Sequence, residues 1–317
     1  MRIGFCFNVL HDSSGKTREL DFDAPETIEG IAKAIESLGH AVIRIEADEN
    51  IFEKLKKLKG KIDGVFNIAE GLHGDARESW VPFSCEILKI PYTHSTPTVL
   101  ALCLDKRLCK LAVKGLGINV PEENRFPAII KPVAEGSSMG IFEKNIVKDK
   151  KDCRQQIAEL RKMGIGDELM IEEYIEGREF TVGILAGEVL PIVEQKFPNG
   201  LKIAGYEMKW EVETKIKDPF EVVECPANLT TESRRQITDI CERIYNGLGI
   251  RDVARIDLRM KTNGEIYFLE INPLPGLIPD ENILSYLPLA ARVAGYKYEQ
   301  IIEKILLGLD KRWAVGI

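Results

Sequence analysis

Residues 252–272 read DVARIDLRMKTNGEIYFLEIN and predict a β-hairpin that carries an uncommon set of polar side chains. Two strand-like runs flank Asn263 and Gly264, which form the favoured two-residue turn between antiparallel strands. With that turn, Thr262 pairs with Glu265. The hairpin predicts an antiparallel sheet in the C-terminal part of the chain.

One face of this hairpin is predicted to hold charge. The register set by the turn places Asp257 opposite Glu270 and Arg255 opposite Asn272. Opposed residues, and residues two apart on one strand, share a face of a sheet. The other face is predicted to pack into a core through its apolar side chains: Ile256, Leu258, Leu269 and Ile271.

The opposed carboxylates of Asp257 and Glu270 predict a bound cation, because facing charges of one sign weaken strand pairing. Two carboxylates and the amide oxygen of Asn272, without His or Cys, are ligands that suit Mg²⁺. A solvated polar face with a salt bridge to Arg255 is the alternative. The assignment depends on the register, since a slip of one residue would separate these side chains.

A loop rich in glycine and serine follows an apolar strand in AIIKPVAEGSSMGI, residues 128–141. We call residues 135–140 the glycine-serine loop. Its backbone N–H groups and hydroxyls can surround a phosphate, and Lys131 at the end of the strand can add a positive charge. An ordinary turn explains the same residues.

The stretch LMIEEYIEGREFTV, residues 169–182, predicts a strand that ends in a short linker. Backbone groups at such a linker, together with a carboxylate from Glu172, Glu173 or Glu179, can bind the edge of an adenine ring. A plain edge strand with solvated glutamates is the local alternative.

The first hundred residues alternate strand and helix, which predicts a parallel sheet covered by helices. Strands are predicted in MRIGFCFNV, AVIRIEA and DGVFNIA, and helices in TIEGIAKAIESLG and NIFEKLKKLKG. Residues 97–117 are predicted to form one long helix that begins at Pro97. The pattern of elements changes near residues 96 and 183.

Composition limits the class of protein. Of 317 residues, 44% are hydrophobic and 29% are charged, as in globular proteins. The net charge of −7 argues against nucleic-acid binding, which needs a basic face. No apolar run approaches the roughly 20 residues that span a bilayer, so no membrane association and a cytoplasmic location are expected. Seven cysteines without a CxxC pair and four histidines without ligand spacing predict free thiols and no zinc site.

The motif SSGKT at residues 13–17 is similar to the end of a phosphate-binding P-loop. Such a loop needs a glycine five residues before Gly15, and this chain has Leu10 there. We therefore expect a surface or active-site loop rather than a P-loop.

Five motifs in order resemble the ATP-grasp ligases, and most of all the D-alanine–D-alanine ligase family. They are LHG-x-x-x-E, DK, IIKP-x-x-EGSS-x-G, EEYI-x-G-x-E-F-T-V and RIDL…FLEIN-x-x-PG, within about residues 62–309. The resemblance implies an α/β fold with an N-terminal parallel domain (1–96), a central ATP-grasp subdomain (97–183) and a C-terminal subdomain (184–317). ATP would lie between the last two. A homodimer, small amino-acid substrates, and two Mg²⁺ ions with Mn²⁺ as a substitute are also implied.

By motif match, the resemblance assigns roles to individual residues. Nucleotide contacts would come from Lys106, Lys131, Glu135, Ser138, Glu172, Tyr174, Ile175, Glu179, Lys209 and Phe268. Within this set, Glu172 would bind the adenine amino group and Glu179 the ribose. The metal ligands would be Asp257, Glu270 and Asn272, the set that the hairpin predicts. Catalysis would use Arg255, the N–H of Gly276 and Ser137, while His73, Glu78 and Trp210 would contact the amino acids.

The family's chemistry has two steps. A substrate carboxylate attacks the γ-phosphate of ATP and gives an acyl phosphate and ADP. The amine of a second substrate then attacks the acyl carbon, and phosphate leaves. Magnesium and lysines are needed because charge gathers on the transferring oxygens.

Both amino-acid subsites depart from the family pattern. The glutamate that holds the first ammonium has no counterpart in FNVLHDSSGKTREL, where Glu19 is a poor candidate. Trp210 replaces the tyrosine that pairs with the loop serine. PGLIPDEN places Asp280 and Glu281 where the family binds a carboxylate, which they would repel. D-Alanine and other amino acids are therefore both candidate substrates, and a non-catalytic ATP-binding module is the alternative from another class.

Overall fold

The computed structural model describes residues 1–11, 18–165 and 168–314. Within these ranges the strands form three sheets. The SSGKT motif at residues 13–17 lies outside the described residues, so its interpretation stays a prediction.

A parallel three-stranded sheet forms the N-terminal layer and confirms the predicted alternation of strand and helix. Its strands are β1 (Arg2–Phe7), β2 (Ala41–Glu46) and β3 (Gly64–Asn67), in the order β2-β1-β3. The helices of this layer are α1 (Pro25–Ser37), α2 (Ile51–Leu58) and α3 (Trp80–Leu88). Ile31 and Ile35 lie on one stripe of α1 and are fully buried, as the helical period requires.

The helix predicted over residues 97–117 is two helices, α4 (Pro97–Leu104) and α5 (Lys106–Gly115). Asp105 separates them because its backbone is extended (φ −81°, ψ 104°) and its carboxylate accepts hydrogen bonds from the first N–H groups of α5. Such a cap pairs donors that the start of a helix leaves free. The prediction of one continuous helix is therefore wrong, and the break places Lys106 in the first turn of α5.

A small antiparallel sheet and one helix form the central layer. Strand β4 (Ala128–Pro132) lies between β5 (Ile146–Val147) and β6 (Leu169–Glu173), with α6 (Lys150–Lys162) beside them. Cys153 and Leu160 of α6 pack against Ala128 and Ile130 of β4. Lys131 follows Ile130 and so projects from the opposite face, towards the rest of the protein.

A six-stranded antiparallel sheet forms the C-terminal layer. Its strands are β7 (Arg178–Leu185), β8 (Glu188–Val189), β9 (Val193–Gln195), β10 (Val223–Glu224), β11 (Val253–Met260) and β12 (Ile266–Asn272). The order is β10-β9-β7-β11-β12, with β8 beside β7. The helices are α7 (Thr231–Gly247), α8 (Tyr286–Val293) and α9 (Tyr298–Ala314).

Strand β7 crosses the boundary predicted at residue 183 and pairs with β11 along its whole length. We therefore propose that the central and C-terminal units meet between Glu173 and Arg178. The N-terminal and C-terminal layers share one hydrophobic core, in which Ile31 of α1 and Ile301 of α9 are both fully buried. This shared core fixes the N-terminal layer against the C-terminal sheet.

The hairpin pairs as predicted at its polar end, with Asp257 opposite Glu270. Its turn is longer than predicted, because Lys261 pairs with Glu265 and Gly264 adopts φ +89°. A β-bulge at Leu269 restores the register. The charged residues therefore lie on the predicted face, whereas Leu269, which was predicted on the core face, lines the cavity.

Six of the seven cysteines are buried and Cys225 is half-buried, and all seven are free thiols. In the part of the chain that the structure describes, no helix has the length and apolar character needed to cross a membrane.

Candidate active site

A cavity of about 530 Å³ is lined by residues of all three layers. It is bounded by the N-terminal layer on one side, the ends of β4 and β6 on another, and the polar face of β11 and β12 beneath. Of the predicted site residues, all except His73 and Phe268 line it.

The structure does not place His73 and Phe268 at the cavity. His73 is exposed, and its ring packs edge-on against Trp80 with the centroids 4.8 Å apart. Phe268 is fully buried in the hydrophobic core. The β-bulge explains the position of Phe268. It turns Leu269 towards the cavity, so that Phe268 points into the core.

Each of the two opposed carboxylates has a cation beside it. Arg255 Nη2 lies 3.1 Å from Asp257 Oδ2, and Lys106 Nζ lies 3.7 Å from Glu270 Oε2. Thr181 Oγ1 donates a 2.8 Å hydrogen bond to the other oxygen of Asp257. Arg255 is thus the ion-pair partner of Asp257, as the alternative interpretation of this face requires.

The two acids titrate differently. Burial raises the pKa of Asp257 to about 6, with Glu270 adding to the effect and Arg255 opposing it. Burial also disfavours the charge on Glu270, but Lys106, Lys131 and Arg255 outweigh it and lower the pKa of Glu270 to about 2. A divalent cation between the two would favour the ionised form of Asp257, so the pair has the chemistry of a metal-binding set.

Asn272 completes this set. Its amide oxygen accepts a 2.8 Å hydrogen bond from the N–H of Leu274, which fixes the side chain and leaves a second lone pair. Among the residues that the structure describes, no three His, Cys, Asp or Glu side chains are grouped to hold a metal by themselves. Magnesium would therefore rest on Asp257, Glu270 and Asn272, with nucleotide phosphates or water as further ligands.

Glu172 lies between two lysines in the interior of the site. Its oxygens are 2.5 Å from Lys110 Nζ and 3.0 Å from Lys131 Nζ, and its side chain is 1% exposed. Burial would raise the pKa of Glu172, but the two ammonium groups outweigh it and lower that pKa. Lys110 is absent from the predicted set, although its position four residues after Lys106 places both on one face of α5.

Replacing Glu172 with Gln should lower the free energy of unfolding by about 3–5 kcal/mol, because two buried lysines lose their counter-charge. The exposed pair Arg107–Glu168 provides the control, and Glu168→Gln should cost about 1 kcal/mol or less. Urea denaturation measures both. The folded-state pKa of Glu172 is lowered, so its contribution should be complete above pH ~4.3 and disappear as the pH falls further. Equal losses in the two variants would contradict this account.

The glycine-serine loop is held against two other segments. Ser137 Oγ donates to the carbonyl of Leu20 (3.0 Å) and accepts from Lys209 Nζ (2.9 Å). Ser138 Oγ donates to the carbonyl of Ala204 (2.9 Å). Both serines adopt the left-handed region, with φ +47° and +57°, which persists only where the surroundings fix it. The loop therefore has one defined shape over the cavity.

Three lysines from different elements line the cavity, and two of them, Lys106 and Lys209, contact this loop. Lys106 Nζ donates a 2.6 Å hydrogen bond to the carbonyl of Glu135, and Lys131 is 8% exposed at the end of β4. Burial lowers the pKa of Lys209, with Arg255 adding to the effect. Cations brought together in a buried cavity form a site for an anion such as a phosphate.

Arg259 joins the parts of the cavity predicted to bind the nucleoside. It is 2% exposed and donates 2.8 Å hydrogen bonds to the Glu179 carboxylate and the Ile175 carbonyl, and a further one to Lys202. Its guanidinium lies 5.2 Å from the ring centre of Tyr174. The predicted set omits Arg259, although the alternation that places Arg255 and Asp257 on one face extends to it.

The N-terminal layer supplies an acid that the sequence did not identify. Asp21 lies 3.6 Å from Arg77 and packs against Gly136, where an added Cβ would come within 2.6 Å of Asp21 Oδ1. Glu19 instead accepts a 3.0 Å hydrogen bond from the N–H of His11. Asp21 belongs to a short 3-10 helix, whose lack of regular periodicity gives no sequence signal.

Asp280 and Glu281 are exposed and do not line the cavity. Glu281 lies 3.9 Å from Arg292, and Asp280 accepts hydrogen bonds within its own turn. Neither acid therefore lies where it would repel a carboxylate bound in the cavity. Ser285 lines this part of the cavity instead, and its Oγ donates a 2.9 Å hydrogen bond to the carbonyl of Gly276.

Comparison with known proteins places the chain among ligases. The family model described as "D-ala D-ala ligase C-terminus" matches residues 97–307. A protein named D-alanine–D-alanine ligase from Aquifex aeolicus is 34% identical over 312 residues, which cover 94% of this chain and 98% of that protein. An uncharacterized protein, y4sG of Sinorhizobium fredii, is 30% identical over 90% of this chain and 88% of its own.

Solved structures show the same fold. A crystal structure of D-alanine–D-alanine ligase from Bacillus anthracis complexed with ATP covers 98% of both chains, with a TM-score of 0.73 and 24% identity. The VanG D-Ala:D-Ser ligase of Enterococcus faecalis covers 96% of this chain and 98% of its own, with a TM-score of 0.71 and 20% identity. The architecture is therefore that of an ATP-grasp protein, and the chain belongs to the D-alanine–D-alanine ligase family.

Proposed function

We propose that the protein is an ATP-dependent carboxylate–amine ligase that joins two small amino acids through an acyl phosphate. The observation that supports this most strongly is the polar face of β11 and β12. It presents Asp257, Glu270 and Asn272 together, beside Arg255 and near the lysines of the cavity. This is the arrangement needed to bind a nucleotide triphosphate and to stabilise charge on transferring oxygens.

In the first step, a substrate carboxylate oxygen attacks the γ-phosphorus, the bond to the bridging oxygen breaks, and ADP leaves. Lys106, Lys131 and Lys209 hold the phosphate oxygens, and the glycine-serine loop excludes water from the acyl phosphate. Asp257, Glu270 and Asn272 would hold Mg²⁺, which would supply charge neutralisation at those oxygens.

In the second step, the lone pair of the acceptor amine attacks the acyl carbon. Arg255 and the N–H of Gly276 stabilise the resulting oxyanion, which collapses and expels inorganic phosphate. The departing phosphate takes the proton that the amine loses. Arg255 is held for this role by its ion pair with Asp257.

A non-catalytic ATP-binding module is the rival function, and it predicts loss of metal ligands or of Arg255. This chain has all of them lining one cavity. The relatives' names suggest D-alanine as a substrate. In contrast, Trp210 stands where the family has a tyrosine, and Asp21 is an acid of the cavity that the family pattern did not predict. A panel of D- and L-amino acids, scored by phosphate release and mass spectrometry of products, tests both questions. Phosphate release without a ligated product, or none with any amino acid, would reject the ligase.

Trp210→Tyr should change the ranking of amino-acid substrates by about tenfold in kcat/KM, with the KM for ATP nearly unchanged. Trp210 lines the cavity, and its indole Nε1 is buried without a hydrogen-bond partner among the described residues. Trp80→Tyr, outside the cavity, is the control. Weaker ATP binding with an unchanged substrate ranking would contradict the placement of Trp210 at the substrate.

We also propose a cytoplasmic enzyme, because seven free thiols are typical of a reducing compartment. A homodimer stays a prediction from the family.

A further inference from the structure

Four carboxylates line the end of the cavity that the N-terminal layer forms, and we call them the N-terminal acidic cluster: Asp21, Asp23, Glu70 and Glu78. They are close enough that the charges of the other three add to burial in raising the pKa of Glu70 well above its usual range. Arg77, 3.6 Å from Asp21, is the one described cation within ion-pair distance of any member.

Glu78 is a member of the cluster whose carboxylate has few polar neighbours among the described residues. It is 8% exposed and lines the cavity, yet it forms no hydrogen bond or ion pair with any described residue. Burial raises the pKa of Glu78 to about 7, although Arg77 and the more distant Lys106 oppose this. Burial also raises the pKa of Asp23 to about 7. A buried acid without a partner, such as Glu78, holds its proton until a cation replaces it.

The dispersed positions of these carboxylates favour an organic cation over a metal ion. In the described parts of the chain, no three acids converge closely enough to hold a metal ion. An ammonium group on a flexible chain can meet dispersed carboxylates, since it is a compact charge with three donors. Arg77 pairs with Asp21, and the charge of Lys209 acts on Asp21 and Glu70. Asp23 and Glu78 are left without an ion-pair partner among the described residues, and one α-ammonium would balance only one of them.

We propose that the amino acid bound against the N-terminal layer is a diamino acid, whose side-chain ammonium enters the N-terminal acidic cluster. This rests on the proposed function. Asp21 packs against Gly136 of the glycine-serine loop, so the cluster adjoins the phosphate end of the cavity. A substrate seated there can direct its carboxylate towards the phosphate while its second ammonium remains among the acids.

Matched pairs of amino acids test the inference. Lysine is compared with norleucine and ornithine with norvaline, in D and L forms, by phosphate release and by mass spectrometry of the product. We expect the cationic member of each pair to have at least about tenfold higher kcat/KM, which is about 1.4 kcal/mol. Equal or better use of the neutral member would overturn the inference.

Variants test whether the preference for a cationic substrate arises from the N-terminal acidic cluster. Glu78→Gln and Asp23→Asn should each reduce the ratio of cationic to neutral substrate, whereas Glu26→Gln, an exposed acid in the first turn of α1, should leave it unchanged. An unchanged ratio in both cluster variants would place the second ammonium elsewhere and overturn the inference. Ligation of alanine without preference for diamino acids would overturn the inference and leave the proposed function intact.

A binding measurement tests the inference if the protein ligates no amino acid. If no amino acid is ligated, the proposed function fails, and thermal stabilisation in the presence of ADP decides the inference. Greater stabilisation by lysine than by norleucine would support it. Equal stabilisation by the two would overturn it.

Discussion

Glu270→Ala should lower the rate of ligation by about 10³-fold or more, since a metal ligand contributes several kcal/mol to stabilising the charge of the transition state. The fold should survive, because the Glu270 side chain is 36% exposed at the cavity and its main cationic neighbour, Lys106, keeps its hydrogen bond to Glu135. Amino-acid-dependent release of phosphate at saturating ATP measures the loss.

Glu265→Ala is the matched control for this experiment. Glu265 is an acid of the same hairpin, exposed near the turn and outside the lining of the cavity. It should keep wild-type activity. If Glu270→Ala also kept wild-type activity while Glu265→Ala behaved as expected, the assignment of the metal to this face would be wrong.

Arg255→Met should lower kcat by about 10²–10³-fold, the usual effect of losing one oxyanion donor. The KM for ATP should change far less, since the lysines of the cavity remain. Arg255 also pairs with Asp257 at 3.1 Å, so part of the loss could arise through the metal. Activity measured across a magnesium titration separates the two contributions.

Arg255→Lys is the informative companion, because it keeps the charge beside Asp257 and removes the planar pair of donors. The activity of this variant should depend on magnesium concentration as that of the wild type does, but its kcat should stay low. A variant with normal kcat at saturating magnesium would show that Arg255 serves the metal site and not the oxyanion.

The sequence was sufficient to locate the charged face, although part of the register was predicted incorrectly. The turn holds one more residue than predicted, and the bulge at Leu269 compensates, so Asp257 still faces Glu270. A bulge depends on packing around the whole sheet rather than on local residue preference. This is why the roles of Leu269 and Phe268 were exchanged in the prediction.

Residues with a regular spacing were within reach of sequence reasoning. The helical period identified the buried stripe of α1, and the same period links Lys106 with the overlooked Lys110. Strand alternation extends from Asp257 to the overlooked Arg259. Lys110 and Arg259 were omitted because neither periodic pattern was followed to the next residue that it includes.

Other features depend on contacts between distant segments. Asp21 reaches the cavity because the N-terminal layer packs against Gly136, and no local pattern encodes that contact. Asp280 and Glu281 were assigned to the substrate by motif position, yet their segment turns them outward. Position in a motif therefore predicts the backbone better than the direction of each side chain.

A crystal structure with a non-hydrolysable ATP analogue and Mg²⁺ tests the central claim most directly. We expect the ion to be bound by Asp257, Glu270 and Asn272 and to contact the phosphates of the nucleotide. An ion held elsewhere, with those three oxygens turned away from it and from one another, would contradict the account.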